Sequence, residues 1–198
     1  MKERKGFQMS STFTSIVQEN FSFLVDEFCF QIEMIEEIHV VWKKGNIYIE
    51  ILHNKYSYEI SLLIYRCEDY RLGIVPYSFD ELLPCAKLAP LTSSFQASNN
   101  ERLTMLISKI SSLLKDILAK IDVFDHNTFD VLASIRKKNC NEYKNKIDRR
   151  YLFEQGNILW KEKEYKQLVL LYQKDIDILT DNERKRYEYA LCQLNKNN

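Results

Sequence analysis

The first clear pattern along the chain is helical. Apolar residues fall at Phe13, Ile16, Val17, Phe21, Leu24, Val25 and Phe28. That stripe of period 3.6 predicts one amphipathic helix, with Ser11 or Thr12 as its N-terminal cap. From Glu37 the period drops to 2. Ile38 to Trp42 reads as a strand and Lys43-Lys44-Gly45-Asn46 as a tight turn, in which Gly45 and Asn46 accept positive φ. Ile47, Ile49 and Ile51 then alternate with Tyr48, Glu50 and Leu52 in the next strand. A second turn at His53-Asn54-Lys55 leads into a β-rich run from Tyr56 to Tyr65, and Arg71 to Val75 is expected as a short fourth strand. The prediction is an antiparallel meander of three or four strands.

Beyond the meander, Phe79 to Leu83 is expected as one helical turn started by Asp80. Pro84, Pro90 and Thr92-Ser93-Ser94 mark a surface loop. Leu103, Leu106, Ile107, Ile110, Leu113, Leu114, Ile117, Leu118 and Ile121 then recur at helical spacing behind Asn99 or Asn100 as a cap. An antiparallel sheet must bury its apolar face, and this helix and the first are its natural cover. Phe124, Phe129, Val131, Leu132 and Ile135 mark a shorter helix, and Tyr151 to Leu194 is helical again. Within that stretch Thr180-Asp181-Asn182-Glu183 opens the last helix. The fold class is α+β: an N-terminal helix and antiparallel meander covered by helices over 11–122, then a helical subdomain ending in a hairpin over 123–198.

Composition adds little to this and contradicts none of it. The chain has 198 residues, 45% hydrophobic and 28% charged, values of an ordinary globular protein. Four Gly and three Pro leave long regular elements as the expectation. The many Lys, Asn, Ile and Tyr residues suit an AT-rich bacterial genome. Net charge is zero, with 9 basic against 13 acidic residues up to Asn100 and 19 against 15 beyond it. Cys29, Cys67, Cys85, Cys140 and Cys192 show no metal-ligand spacing, so buried free thiols in a reducing cytoplasm are expected. Lys2, Arg4 and Lys5 precede no apolar run, and nothing reads as a secretory signal or a membrane span.

Near the C-terminus, Gly156-Asn157, Tyr165, Leu168 and Tyr172 stand around a turn at Glu162-Lys163-Glu164-Tyr165. This string resembles one degenerate tetratricopeptide-type repeat. It departs from that family in placing Leu168 where a small residue is usual and Thr180 where proline is usual. The resemblance covers about 25 residues and implies a helical hairpin with a protein-binding surface; a single repeat cannot bury its own face and must dock on something else. In size, element order and the block Phe23-Leu24-Val25-Asp26-Glu27-Phe28, the chain is similar to small bacterial accessory proteins, among them immunity proteins that neutralise a toxin by binding it.

Candidate chemistry is sparse. His39, His53 and His126 are isolated, and no GxSxG, Walker-type loop, HExxH or dinucleotide fingerprint occurs. No catalytic set, metal or cofactor is therefore predicted. Glu50 and Glu59 sit on facing strands of the expected hairpin, an arrangement that converges in metal-dependent nucleases. No Glu-x-Lys follows Glu50, however, and single strand-face charges commonly discourage aggregation. The acid-rich residues Asp26, Glu27, Glu33, Glu36 and Glu37 either form a solvated face or dock a basic protein partner.

The aromatics Trp42, Tyr48, Tyr56, Tyr58, Tyr65 and Trp160 either fill cores or form an interface. Trp42, Tyr48 and Tyr58 join the acidic residues as the candidate partner-binding set. The alternative partner is nucleic acid, through Arg136, Lys137, Lys138, Lys144, Lys146, Arg149 and Arg150 with Tyr143 and Tyr151 interleaved, against the simpler reading of a solvated linker helix.

Overall fold

The computed structural model describes residues 10–91 and 94–196, with side chains from Phe13 onward. The expected caps Ser11 and Thr12, and the loop residues Thr92 and Ser93, lie outside the described side chains. By its internal packing the chain forms two compact units, one ending at Arg136 and the other starting at Lys137.

The stripe from Phe13 gives two helices, not one: α1 (Ser10–Asn20) and α2 (Ser22–Asp26), broken at Phe21. Phe21 leaves helical geometry with φ −103° and ψ 13°, and its ring stacks on Trp42 at 5.3 Å between centroids. Four strands follow in the order β1 (Gln31–Glu36), β2 (His39–Lys44), β3 (Ile47–His53) and β4 (Ile60–Arg66), each antiparallel to its neighbour. The four-stranded antiparallel sheet and the α+β class agree with the expectation, but the fourth strand does not lie at Arg71 to Val75. It is β1, in the acid-rich segment where no strand is predicted. Residues 67–71 form a short helix, α3 (Cys67–Arg71), and the chain then turns at Gly73.

Gly45, at φ +61°, makes the β2–β3 hairpin tight. That turn fixes the β2–β3 register, so Val40 faces Ile51 and Trp42 faces Ile49; across β3 and β4, Ile51 faces Leu62 and Ile49 faces Ile64. All six are buried on one face and belong to a single core with Phe13, Val17, Phe21 and Leu24. Burial of each such aliphatic side chain is worth about 2 kcal/mol. The same core takes in Phe79, Leu82 and Leu83 of α4 (Phe79–Cys85) and the apolar stripe of α5 (Asn100–Leu118).

The cap of α4 is Ser78, in a reciprocal capping box with Glu81, and not Asp80. Asn99 caps α5 as expected, accepting from the Arg102 amide at 2.9 Å. Ser111 on α5 donates to the Asn20 carbonyl at the end of α1 at 2.6 Å, a bond that ties the two covering helices together.

The shorter helix and the basic stretch are one 36-residue helix, α6 (His126–Lys161). The expected junction at 122/123 lies in the turn before it. In the second unit the end of α6 is followed by α7 (Tyr165–Gln173), a 3-10 turn at Ile176–Ile178 and α8 (Asp181–Lys196). Leu152, Leu168, Val169, Tyr172, Leu179 and Ala190 form its separate core. The start of α8 is a capping box: the Thr180 amide donates to Glu183 at 2.8 Å and the Glu183 amide to Thr180 Oγ1 at 3.4 Å. The cysteines are free, but Cys29, Cys140 and Cys192 are exposed and Cys67 and Cys85 half-buried. The expected burial of the thiols fails for Cys29, Cys140 and Cys192, whereas Cys85 packs against the first core.

Candidate protein-docking face

A strand alternates its side chains, so the face opposite the core carries the residues between the buried ones. Register sets Lys43 opposite Tyr48 and Tyr48 opposite Tyr65, with Val41, Glu50 and Leu63 in the next row and His39, Leu52 and Ser61 in the third. The Tyr48 and Tyr65 rings stack at 5.3 Å, only 6° from parallel. Tyr70 of α3 continues the row, 5.2 Å from Tyr65, and is 62% exposed. At the other end the Lys43 ammonium lies 5.2 Å from the Tyr48 ring and 3.4 Å from Glu33. Tyr48 foremost, and Glu33 with it, hold the Lys43 pKa above its ordinary value.

Glu50 sits in the middle of this face with 14% of its side chain exposed. Its Oε2 lies 3.3 Å from His39 Nε2 and accepts from the Tyr65 hydroxyl at 3.2 Å. Burial first, and then the Glu50 carboxylate, push the Tyr65 phenol well above the usual tyrosine range. The phenol therefore stays a neutral donor. The arrangement satisfies a half-buried carboxylate and locks the tyrosine rings in place.

Glu50 does not converge with Glu59. Register places Leu63 across from Glu50, whereas Glu59 precedes β4 and bridges to Gln96. The pairing with His39 depends on the turn-fixed register, a signal that was present in Gly45, which takes the expected positive φ, whereas Asn46 does not.

The candidate partner-binding residues scatter. Glu33, Glu36 and Tyr48 come to the outer side of the sheet, with Glu36 in register with His39. Asp26 and Glu27 lie on α2 and just after it, and Glu27 pairs with Lys115 of α5. Glu37 pairs with Lys55 at 2.6 Å. Tyr58 is in a loop at φ 58°, its carbonyl accepting from Ala97 at 2.8 Å. Trp42 is 1% exposed against Phe21 and presents nothing to a partner. Three of the five acids thus hold a lysine. Among the described residues Asp26 and Glu36 have no ion-pair partner.

No family model, no curated protein and no solved structure matches this chain.

The basic stretch does not gather into a groove. Arg136 belongs to the first unit, where it pairs with Glu81 at 3.0 Å, donates to the carbonyls of Val75 and Pro76, and stacks 4.0 Å over Tyr77. Arg149 pairs with Glu183 in the second. Lys138 and Arg150 face Glu142 and Glu154 one turn on. At about 100° per residue, Lys137 and Lys144 share one side of α6, Lys146 and Arg150 lie opposite, and Lys138 falls between them. Charges that ring a helix do not track a phosphate backbone along one face.

The histidines have separate settings. His53 lies at the end of β3, not in a turn, 2% exposed and stacked on Phe13 at 5.7 Å. His126 opens α6, 3.4 Å from Arg66. No group of three or more His, Cys, Asp or Glu among the described residues is placed to hold a metal ion. No helix among them is long and apolar enough to cross a membrane.

Proposed function

We propose that this chain is a protein-binding module that engages its partner with the outer face of the sheet, acting as a non-enzymatic inhibitor of the immunity type. The observation that carries the reading is the row Tyr48, Tyr65 and Tyr70, held in order by stacking and by the Tyr65 to Glu50 bond. Tyrosines already fixed in place lose little conformational freedom on binding, and such residues anchor many interfaces. Lys43, Glu33, His39 and Glu36 give the row a polar rim. The resemblance of the C-terminal hairpin to a tetratricopeptide-type repeat supports the same class of function by analogy.

The test is affinity purification of the tagged chain from its host at low and then moderate salt, beside a Tyr48→Ala, Tyr70→Ala variant. The expected result is one stoichiometric protein that the variant loses while keeping its thermal transition. Equal retention by the variant overturns the tyrosine face. Nucleic acid released by salt, with no protein partner, overturns the module reading in favour of the basic stretch.

A further inference from the structure

The two edges of the sheet differ. The outer edge of β4 is occupied: Ile64 and Tyr77 exchange backbone bonds at 2.9 and 2.8 Å, and the Ile60 amide donates to Phe95 at 2.8 Å. Among the described residues no segment pairs with the outer edge of β1, and every residue of β1 is exposed except the half-buried Met34. A bare edge presents a row of unpaired amides and carbonyls, a template for another strand.

The side chains of β1 narrow what that strand is. The bulge at Glu33 puts Ile32 in register with Trp42 and Ile35 with Val40, so both isoleucines stand on the core side of the sheet. They nevertheless remain 43% and 47% exposed. On the other side Glu36 is in register with His39, and Glu33 reaches Lys43. Residues 26–37 hold five acids and no basic residue. Two copies joined edge to edge would bring acid against acid, which is unfavourable for cross-strand neighbours. A strand with aliphatic residues on one side and lysine or arginine on the other matches both sides of β1.

We propose that the open edge of β1 takes up an extended segment of the protein partner, basic on one side and aliphatic on the other, as a fifth strand. This inference rests on the protein-binding reading, and names the chemistry of the partner.

The test reads amide hydrogen exchange by NMR on the full chain, alone and with a short peptide of alternating lysine and valine. A second peptide has the same sequence N-methylated at alternate residues, which keeps the charge and removes donors from one edge. Strand addition slows exchange at outward amides of 31–36 by roughly tenfold or more with the first peptide and not with the second. Glu33→Lys with Glu36→Lys weakens that protection by roughly tenfold. Unchanged exchange in β1, or equal slowing by both peptides, overturns the proposal. A chain that loses its partner on Tyr48→Ala and Tyr70→Ala, yet shows no protection in β1 with the peptide, sinks the fifth strand and leaves the binding module standing.

Discussion

Gly156 on α6 and Tyr172 on α7 approach so closely that a Cβ on the glycine would stand 2.1 Å from the tyrosine hydroxyl oxygen and 2.7 Å from Cζ. Tyr172 is fully buried in the second core, so its ring has little room to retreat. Alanine at 156 would raise helix propensity by about 1 kcal/mol, but overpacking of this kind costs about 1 to 3 kcal/mol. Gly156→Ala is expected to destabilise the second unit in urea. Adding Tyr172→Phe removes the nearest atom and should recover part of the loss. A stabilised Gly156→Ala variant would show that the helices slide apart freely.

Glu183 is 2% exposed. Burial raises its pKa, but hydrogen bonds from Arg149 and Thr180 outweigh that and hold it below the ordinary carboxylate value. A lowered folded pKa stabilises above the unfolded value, here 4.5, and the contribution is lost as pH falls through the folded value. Arg149→Ala leaves the carboxylate without its cation and should cost about 3 kcal/mol at neutral pH. The difference between wild type and variant, followed by urea unfolding, should shrink on acidification below that unfolded value.

His53 titrates in a different window. Burial foremost pushes its pKa below 6.5, with the Ala97 backbone opposing and Lys55 adding to the shift. Its Nε2 has no hydrogen-bond partner among the described residues. The neutral ring is the folded form. Stability is therefore full above the unfolded value and declines as pH falls from there toward the lower folded value, below which the loss levels off. His53→Phe, stacked on Phe13, should flatten this part of the stability profile. An unchanged slope would assign it to other groups.

On the tyrosine face, Tyr65→Phe removes the donor to Glu50 and should cost about 1 kcal/mol. It keeps the stack on Tyr48, so the near-ultraviolet dichroism of the row should persist. Loss of that signal would mean that the hydrogen bond, and not the ring contact, orders the row.

Leu24 and Ile110 are fully buried in the first core. Leu24→Asp or Ile110→Asp introduces an unpaired charge there, at a cost of several kcal/mol, and should unfold the first unit. A thermal transition identical to wild type for either would contradict the packing of α2 or α5.

The sequence by itself determined the elements whose cause is local. The stripe around Leu103, the alternation of Ile47, Ile49 and Ile51, and the caps at Asn99 and Thr180 depend on neighbours a few residues away, and so does the α+β class they imply; the stripe from Phe13 marked a helical face but not the break at Phe21. Tertiary structure decided what depends on distant pairing. β1 is exposed on nearly every residue and carries no alternation; it is a strand because β2 offers it an edge. Arg71 to Val75 has β-prone residues but lies beyond the sheet, with β4 already bonded to Tyr77 and Phe95.

The tyrosine row and the His39–Glu50 pair follow from register, and no periodicity within one strand specifies which residue lies across the next. The acidic and basic clusters looked like surfaces when counted along the chain. Folding neutralised several of those charges, because Lys43, Lys55, Lys115, Glu81 and Glu183 arrive from other segments to meet them.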